Sequence, residues 1–358
     1  MTVIQTQPTS PKKILIIRLS AIGDVVMASG LIPSLKKAYP DASLTWLVEP
    51  MAADLLKEND ALDEVILWPK AQWKQLFKEK KYRELFRVVR EFVRMLRAKK
   101  FDLALDTQGL IKSAIWAKLS GAKRRIGLDS REGSNRLVTE TLTIDRDHPH
   151  ISSEYRQLAE HLGAKPDWYR MSLPFSSKTH QQVQHYLSEA GIQGDYYVIC
   201  PYTTRPQKHW FDDYWLSLAK QLAENDGLPI LVLGGPGDQS NAALLCEQSE
   251  GALMNFAGKT RLLEAVALLD QAKGVIGVDT GLTHMSIARR TPTVALFGST
   301  RPYLNTMQDN ATVIYHRYEC SPCHRRPTCD GRFDCLREIK PEEVLQVLQD
   351  VQQQKATQ

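Results

Sequence analysis

Lys13-Ile14-Leu15-Ile16-Ile17-Arg18-Leu19-Ser20-Ala21-Ile22-Gly23-Asp24 is the stretch on which the fold turns. Ile14 to Ile17 is apolar at every position, and a strand with no polar face is buried on both sides. Parallel strands covered by helices are buried in that way. The strand runs into a Gly-containing turn that ends in a carboxylate. In open α/β sheets the carboxyl ends of parallel strands border the ligand crevice, which places Asp24 where chemistry is done. The alternative makes Asp24 the N-cap of a helix over residues 25–39. This turn alone leaves both readings open.

Outward from it, strands and helices alternate along the whole chain. Strands are expected at 44–48, 64–67 and 101–105. The last ends in Asp106-Thr107-Gln108-Gly109 before a helix near Lys112. Residues 145–153 are rich in Pro, Ser and charge, and 172–178 reads as a linker. A second set follows, with strands at 197–200, 230–233, 274–278 and 293–297 and helices at 211–225 and 262–271. Alternation on this scale predicts an α/β protein with parallel sheets. At 358 residues the chain exceeds one ordinary core. Two Rossmann-like domains facing across a cleft are expected, residues 1–175 and 176–335. A C-terminal helix, 336–358, would pack back on the first. No sequence repeat links the halves.

Composition narrows the function classes. Apolar residues make up 43% and charged residues 24%, as in ordinary globular proteins. No apolar run reaches the length of a membrane span. The amino-terminal MTVIQTQPTSPKK has no signal-peptide core, which predicts a cytoplasmic protein. The net charge of +5 hides an asymmetry: residues 70–100 carry twelve Lys or Arg against three Glu. Apolar residues recur there at helical spacing from Tyr82 to Leu96. One reading is a solvated surface helix. The other is a basic amphipathic face for anionic lipid or an acidic acceptor. No nucleic-acid motif accompanies the charge, and no GxGxxG opens either half.

Three strand ends in the second half share a theme. Thr203-Thr204 and then Lys208 follow one strand, offering hydroxyls, amides and a point charge suited to a diphosphate. Gly234-Gly235-Pro236-Gly237-Asp238 follows the next, where an acid can accept from ribose hydroxyls. Asp279-Thr280-Gly281-Leu282-Thr283-His284 opens a helix, whose N-terminal amides favour phosphate. His209, Trp210, Cys200 and Cys246 read as packing residues.

Together KILIIRLSAIGD, DTQGLIKSA, TTRPQKHW, GGPGDQ and GVDTGLTHMSIARRTPTVALFGST resemble the ADP-heptose:lipopolysaccharide heptosyltransferases. The DTQGLIKSA stretch and the Trp73 region look most like the first heptosyltransferase, which acts on Kdo-lipid A. The resemblance implies a GT-B fold and an inverting, metal-independent transfer. It also implies a place on the cytoplasmic face of the inner membrane, at an anionic surface. Matched position by position, it makes Asp24 the general base. Thr203, Thr204 and Lys208 would hold the diphosphate, with Asp238 at the ribose and Thr260 near the adenine. Asp279, Thr280, Gly281 and His284 would surround diphosphate and heptose. On the acceptor side the matching positions are Lys70, Lys74, Gln108, Lys112, Arg131 and His150. Two other classes stand beside this one: a related glycosyltransferase with another donor or acceptor, and a nucleotide-binding homologue without activity.

Cys320, Cys323, Cys329 and Cys335 fall within sixteen residues. Four thiols have the count of a structural zinc site, but only the first pair has CxxC spacing. Reduced structural thiols and a disulfide are the alternatives.

Overall fold

The computed structural model describes residues 10–145, 147–323 and 326–356. Residues 1–9, most of the amino-terminal stretch on which the cytoplasmic expectation rests, lie outside the described residues. The chain divides into two compact units, Met1–Arg146 with Glu154–Met171, and Asp147–Ser153 with Ser172–Gln358.

The first unit is built on β1 (Lys13–Ile17), β2 (Ser43–Val48), β3 (Glu64–Leu67), β4 (Leu103–Asp106), β5 (Arg124–Leu128) and β6 (Glu140–Leu142). All pair in parallel, in the order β3-β2-β1-β4-β5-β6. Ile14 to Ile17 are fully buried at the centre, as an all-apolar strand requires. Leu15, Ile17 and Leu47 pack with Trp68, Leu96, Phe101 and Trp116, and Trp73 and Phe92 close over them.

The second unit repeats this plan with β7 (Tyr197–Cys200), β8 (Ile230–Val232), β9 (Leu253–Asn255), β10 (Gly274–Val278), β11 (Thr293–Phe297) and β12 (Ala311–Tyr315). Its order is β12-β11-β10-β7-β8-β9, again wholly parallel. Read from its first strand, each sheet runs outward through two strands on one side and three on the other. The connection reverses between β1 and β4, and between β7 and β10. Loops diverge at such a point and leave a crevice at the carboxyl ends.

Several expectations are corrected. The helix expected over 25–39 is two, Ile22–Ala28 and Leu31–Ala38. A side chain at Gly30 would meet the Tyr169 ring at 2.5 Å, so the chain turns where only glycine fits. The N-cap of the first is Ala21, and Asp24 sits within its first turn. The linker is short, because the helix Ser177–Glu189 already begins in it, capped by the Ser176 hydroxyl accepting from Thr179 N–H at 3.2 Å. The C-terminal helix Pro341–Ala356 was expected on the first domain, but it packs in the second unit. Val344, Leu348 and Val351 are buried there with Ile276 and Leu296.

Candidate active site

In the second unit the loops after β7 and β10 meet at the reversal point. Lys208 Nζ lies 2.5 Å from Asp279 Oδ2, and both side chains are largely buried. The Thr300 hydroxyl, following β11, donates to the same oxygen. His284 Nε2 lies 3.4 Å from Asp279 Oδ1, and its Nδ1 is 2.7 Å from the Tyr303 hydroxyl. Burial opposes ionisation of Asp279, but the His284 ring and the Lys208 ammonium outweigh it and hold the carboxyl well below the usual range. Thr280 stands at the N-cap of the helix Gly281–Ala288, whose first amides lack intrahelical partners. The approach of strand and helix is close: a Cβ on Gly277 would lie 2.2 Å from the Thr283 hydroxyl.

Thr203 and Thr204 occupy the same β7 loop, Thr204 exposed and Thr203 half-buried. His209 Nε2 holds the Thr203 carbonyl at 2.8 Å, and the buried Trp210 donates its indole N–H to the carbonyls of Leu336 and Ile339. Asp238 follows β8, with Oδ2 accepting from Gly235 N–H at 2.7 Å. Thr260 lies beyond β9, half-buried, in a loop that Gly258 N–H ties to the Gly234 carbonyl at 3.0 Å. Thus Thr203, Thr204, Lys208, Asp238, Thr260, Asp279, Thr280, Gly281 and His284 all follow carboxyl ends of adjacent parallel strands. Thr300 and Tyr303 were not singled out from the sequence. The signal was present: Ser299-Thr300 follows the wholly buried strand β11, as Thr203-Thr204 follows β7.

In the first unit Asp24 is held from behind. Arg18 Nη2 lies 2.5 Å from Asp24 Oδ2, and Ala21 N–H donates to the same oxygen at 3.0 Å. Among the described residues both contacts engage Oδ2, and the side chain is 36% exposed. Arg18 is fixed in turn, donating from Nη1 to the Thr107 carbonyl at 2.8 Å with its guanidinium over the Tyr155 ring. Sequence reading passed over Arg18, because a charge after a strand has no distinguishing pattern.

The expected acceptor residues are placed less uniformly. Gln108 accepts from Leu19 N–H at 3.3 Å, which joins the β4 loop to the Asp24 turn. Gly109, at φ 66°, would carry a Cβ 2.1 Å from the Leu128 carbonyl oxygen, so the turn needs glycine. Its carbonyl accepts from Arg131 N–H at 2.8 Å, bringing Arg131 to the same loop cluster. Lys112 lies in the first turn of the helix Ile111–Leu119. Lys70 pairs with Glu49 at 3.0 Å, beyond β3, and Lys74 is exposed one turn on. His150 belongs to the second unit, where it is bridged to Asn305. Asp106, wholly buried below Gln108, accepts from the amides of Gln108 and Gly109, and burial pushes its carboxyl upward.

All six cysteines are free thiols. Burial, and then the neighbouring thiols of Cys323, Cys320 and Cys329, push Cys335 up to about 11. Among the described residues no group of three or more His, Cys, Asp or Glu side chains is arranged to hold a metal ion. Cys200 is buried as expected, whereas Cys246 is half-buried.

The sequence pattern of glycosyltransferase family 9 (heptosyltransferase) matches residues 89–332, more than half of the chain. Lipopolysaccharide heptosyltransferase 1 of Escherichia coli is 28% identical over 295 residues, covering 82% of this chain and 89% of the relative. Lipopolysaccharide heptosyltransferase 2 of Salmonella typhimurium is 28% identical over 357 residues, covering 94% and 97%. The solved structure of E. coli heptosyltransferase WaaC with ADP-2-deoxy-2-fluoro heptose is similar at a TM-score of 0.68 and 25% identity, over 94% of this chain and 99% of that one. With two doubly wound sheets in the GT-B manner, the chain belongs to glycosyltransferase family 9, the heptosyltransferases, and is a glycosyltransferase.

Proposed function

We propose that this enzyme moves heptose from ADP-heptose to a Kdo-bearing inner-core acceptor, with inversion and without a divalent metal. Asp24 Oδ1 takes the proton of the acceptor hydroxyl. The acceptor oxygen attacks the anomeric carbon, the bond from that carbon to the diphosphate breaks, and ADP leaves with the negative charge. Lys208 and the amides opening Gly281–Ala288 stabilise the departing diphosphate, the work a metal would otherwise do. Asp238 accepts from the ribose, and Thr260 borders the adenine. Lys70, Lys74, Gln108, Lys112, Arg131 and His150 contact the acceptor.

The observation that carries the donor half is the Lys208–Asp279–His284 cluster beside a helix N-terminus, at the reversal point of its sheet. Asp24 supports the acceptor half, since Arg18 and an amide fix one of its oxygens and, among the described residues, leave the other for a proton. The two heptosyltransferase relatives share the same identity with this chain; the Kdo-lipid A acceptor rests on the DTQGLIKSA and Trp73 stretches. A lipid-borne acceptor places the enzyme at the cytoplasmic face of the inner membrane as a peripheral protein.

Turnover of ADP-heptose, measured with and without Kdo-lipid A, tests the assignment. ADP release that requires the Kdo-bearing lipid is expected. Release only with an acceptor that already carries heptose would move the enzyme to the second transfer.

A further inference from the structure

The helix Tyr82–Ala98 and the last turn of the preceding helix Lys70–Lys78 bear a surface that includes none of the residues assigned to the transfer. At about 100° per residue, Arg83, Arg87, Arg90, Arg94 and Arg97 fall within about 80° of one another around the helix. They form a single stripe of guanidinium groups along its whole length. The opposite face is occupied: Phe92 packs on Trp73 and Trp116, and Leu96 is fully buried. The stripe therefore points away from the core.

Its two borders differ. Glu84 and Glu91 lie along one side, where Glu84 approaches Arg87 at 3.8 Å. Along the other side lie Tyr82 and Phe86, 55% and 68% exposed, and Tyr82 meets the ring of Phe77, itself 61% exposed, edge to face. Lys78, Lys80 and Lys81 crowd the same end. Three exposed aromatic rings grouped beside a continuous cationic stripe cost solvation if left in water. Rings at headgroup depth with Arg reaching phosphate is how an amphipathic helix lies in a membrane interface. No helix among the described residues is long and apolar enough to cross a membrane, so the contact is with a surface. Rings gathered along one border, rather than interleaved with the cations, do not make a stacking ladder for nucleic acid.

We infer that the Arg83–Arg97 stripe with Phe77, Tyr82 and Phe86 docks this enzyme on an anionic bilayer, the aromatic border entering the headgroup layer. The inference rests on the proposed membrane-borne acceptor for its purpose, but vesicle binding needs no substrate. Its failure would leave transfer to a soluble acceptor sugar standing.

Co-sedimentation of the full chain with phosphatidylcholine vesicles, with and without phosphatidylglycerol, tests it. Binding should require the anionic lipid and fall by about 100-fold in Arg87→Glu/Arg90→Glu/Arg94→Glu. Phe86→Ser, a change at an exposed ring, should weaken it by about tenfold. Both variants should keep the wild-type melting temperature and turnover on a soluble acceptor sugar. Equal binding to phosphatidylcholine alone, unchanged binding of the charge-reversed variant, or tighter binding to a single-stranded oligonucleotide than to vesicles would overturn it.

Discussion

Asp24 and Lys208 carry the two halves of the proposed chemistry, and each is held by an opposite charge from its own unit. Arg18 occupies one oxygen of Asp24 from behind. Asn at this position keeps an oxygen for Ala21 N–H and Arg18 but has no basic oxygen to offer. Asp24→Asn is therefore expected to lower turnover by about 10²–10⁴, with ADP-heptose affinity and melting temperature near wild type. A purely structural role predicts turnover and stability both near wild type, because Asn keeps those contacts. Lys208 is already largely desolvated against Asp279, so in the proposed donor site it would meet the diphosphate at little further desolvation cost. Lys208→Ala should weaken ADP binding by about 1.5–3 kcal/mol, read by calorimetry; wild-type affinity would remove Lys208 from the donor site.

At the scale of elements, the central strands and the helix Pro341–Ala356 show where pattern reading holds. Strands β1, β7, β10 and β11 are buried along nearly their whole length, and their unbroken apolar runs announce them. The edge strands β6 and β9, Glu140–Leu142 and Leu253–Asn255, are three residues long and mixed in polarity, so periodicity cannot find them. The terminal helix was legible as a helix, but the surface that receives it was not. Because Leu348 is fully buried in the second unit, Leu348→Ala should destabilise the protein by about 2–5 kcal/mol, measured by denaturant unfolding. A loss below about 1 kcal/mol would mean the helix is not part of that core.

Across the whole molecule, two units with no sequence repeat share one strand order. Buried parallel strands accept many apolar sequences, so topology outlasts residue identity. The proposed donor groups, Lys208 with hydroxyls and amides, would neutralise a diphosphate without a metal. Excess EDTA should leave the initial transfer rate unchanged. Loss restored by Mg²⁺ would refute the metal-free reading, and slow loss restored only by Zn²⁺ would assign the effect to Cys320, Cys323, Cys329 and Cys335.

By itself the sequence determined the α/β class, the central strands and the strand ends that carry polar groups, including Asp24, Lys208 and Asp279. These are local properties: burial of a strand is written in its own residues, and so is the turn that ends it. Tertiary structure alone decided that Lys208 and Asp279, 71 positions apart, form one ion pair, because parallel pairing of β7 with β10 brings their loops together. It likewise supplied Arg18, Thr300 and Tyr303, and gave the terminal helix to the second unit. A contact between distant segments depends on which strands become neighbours, and no stretch of chain encodes its neighbour alone.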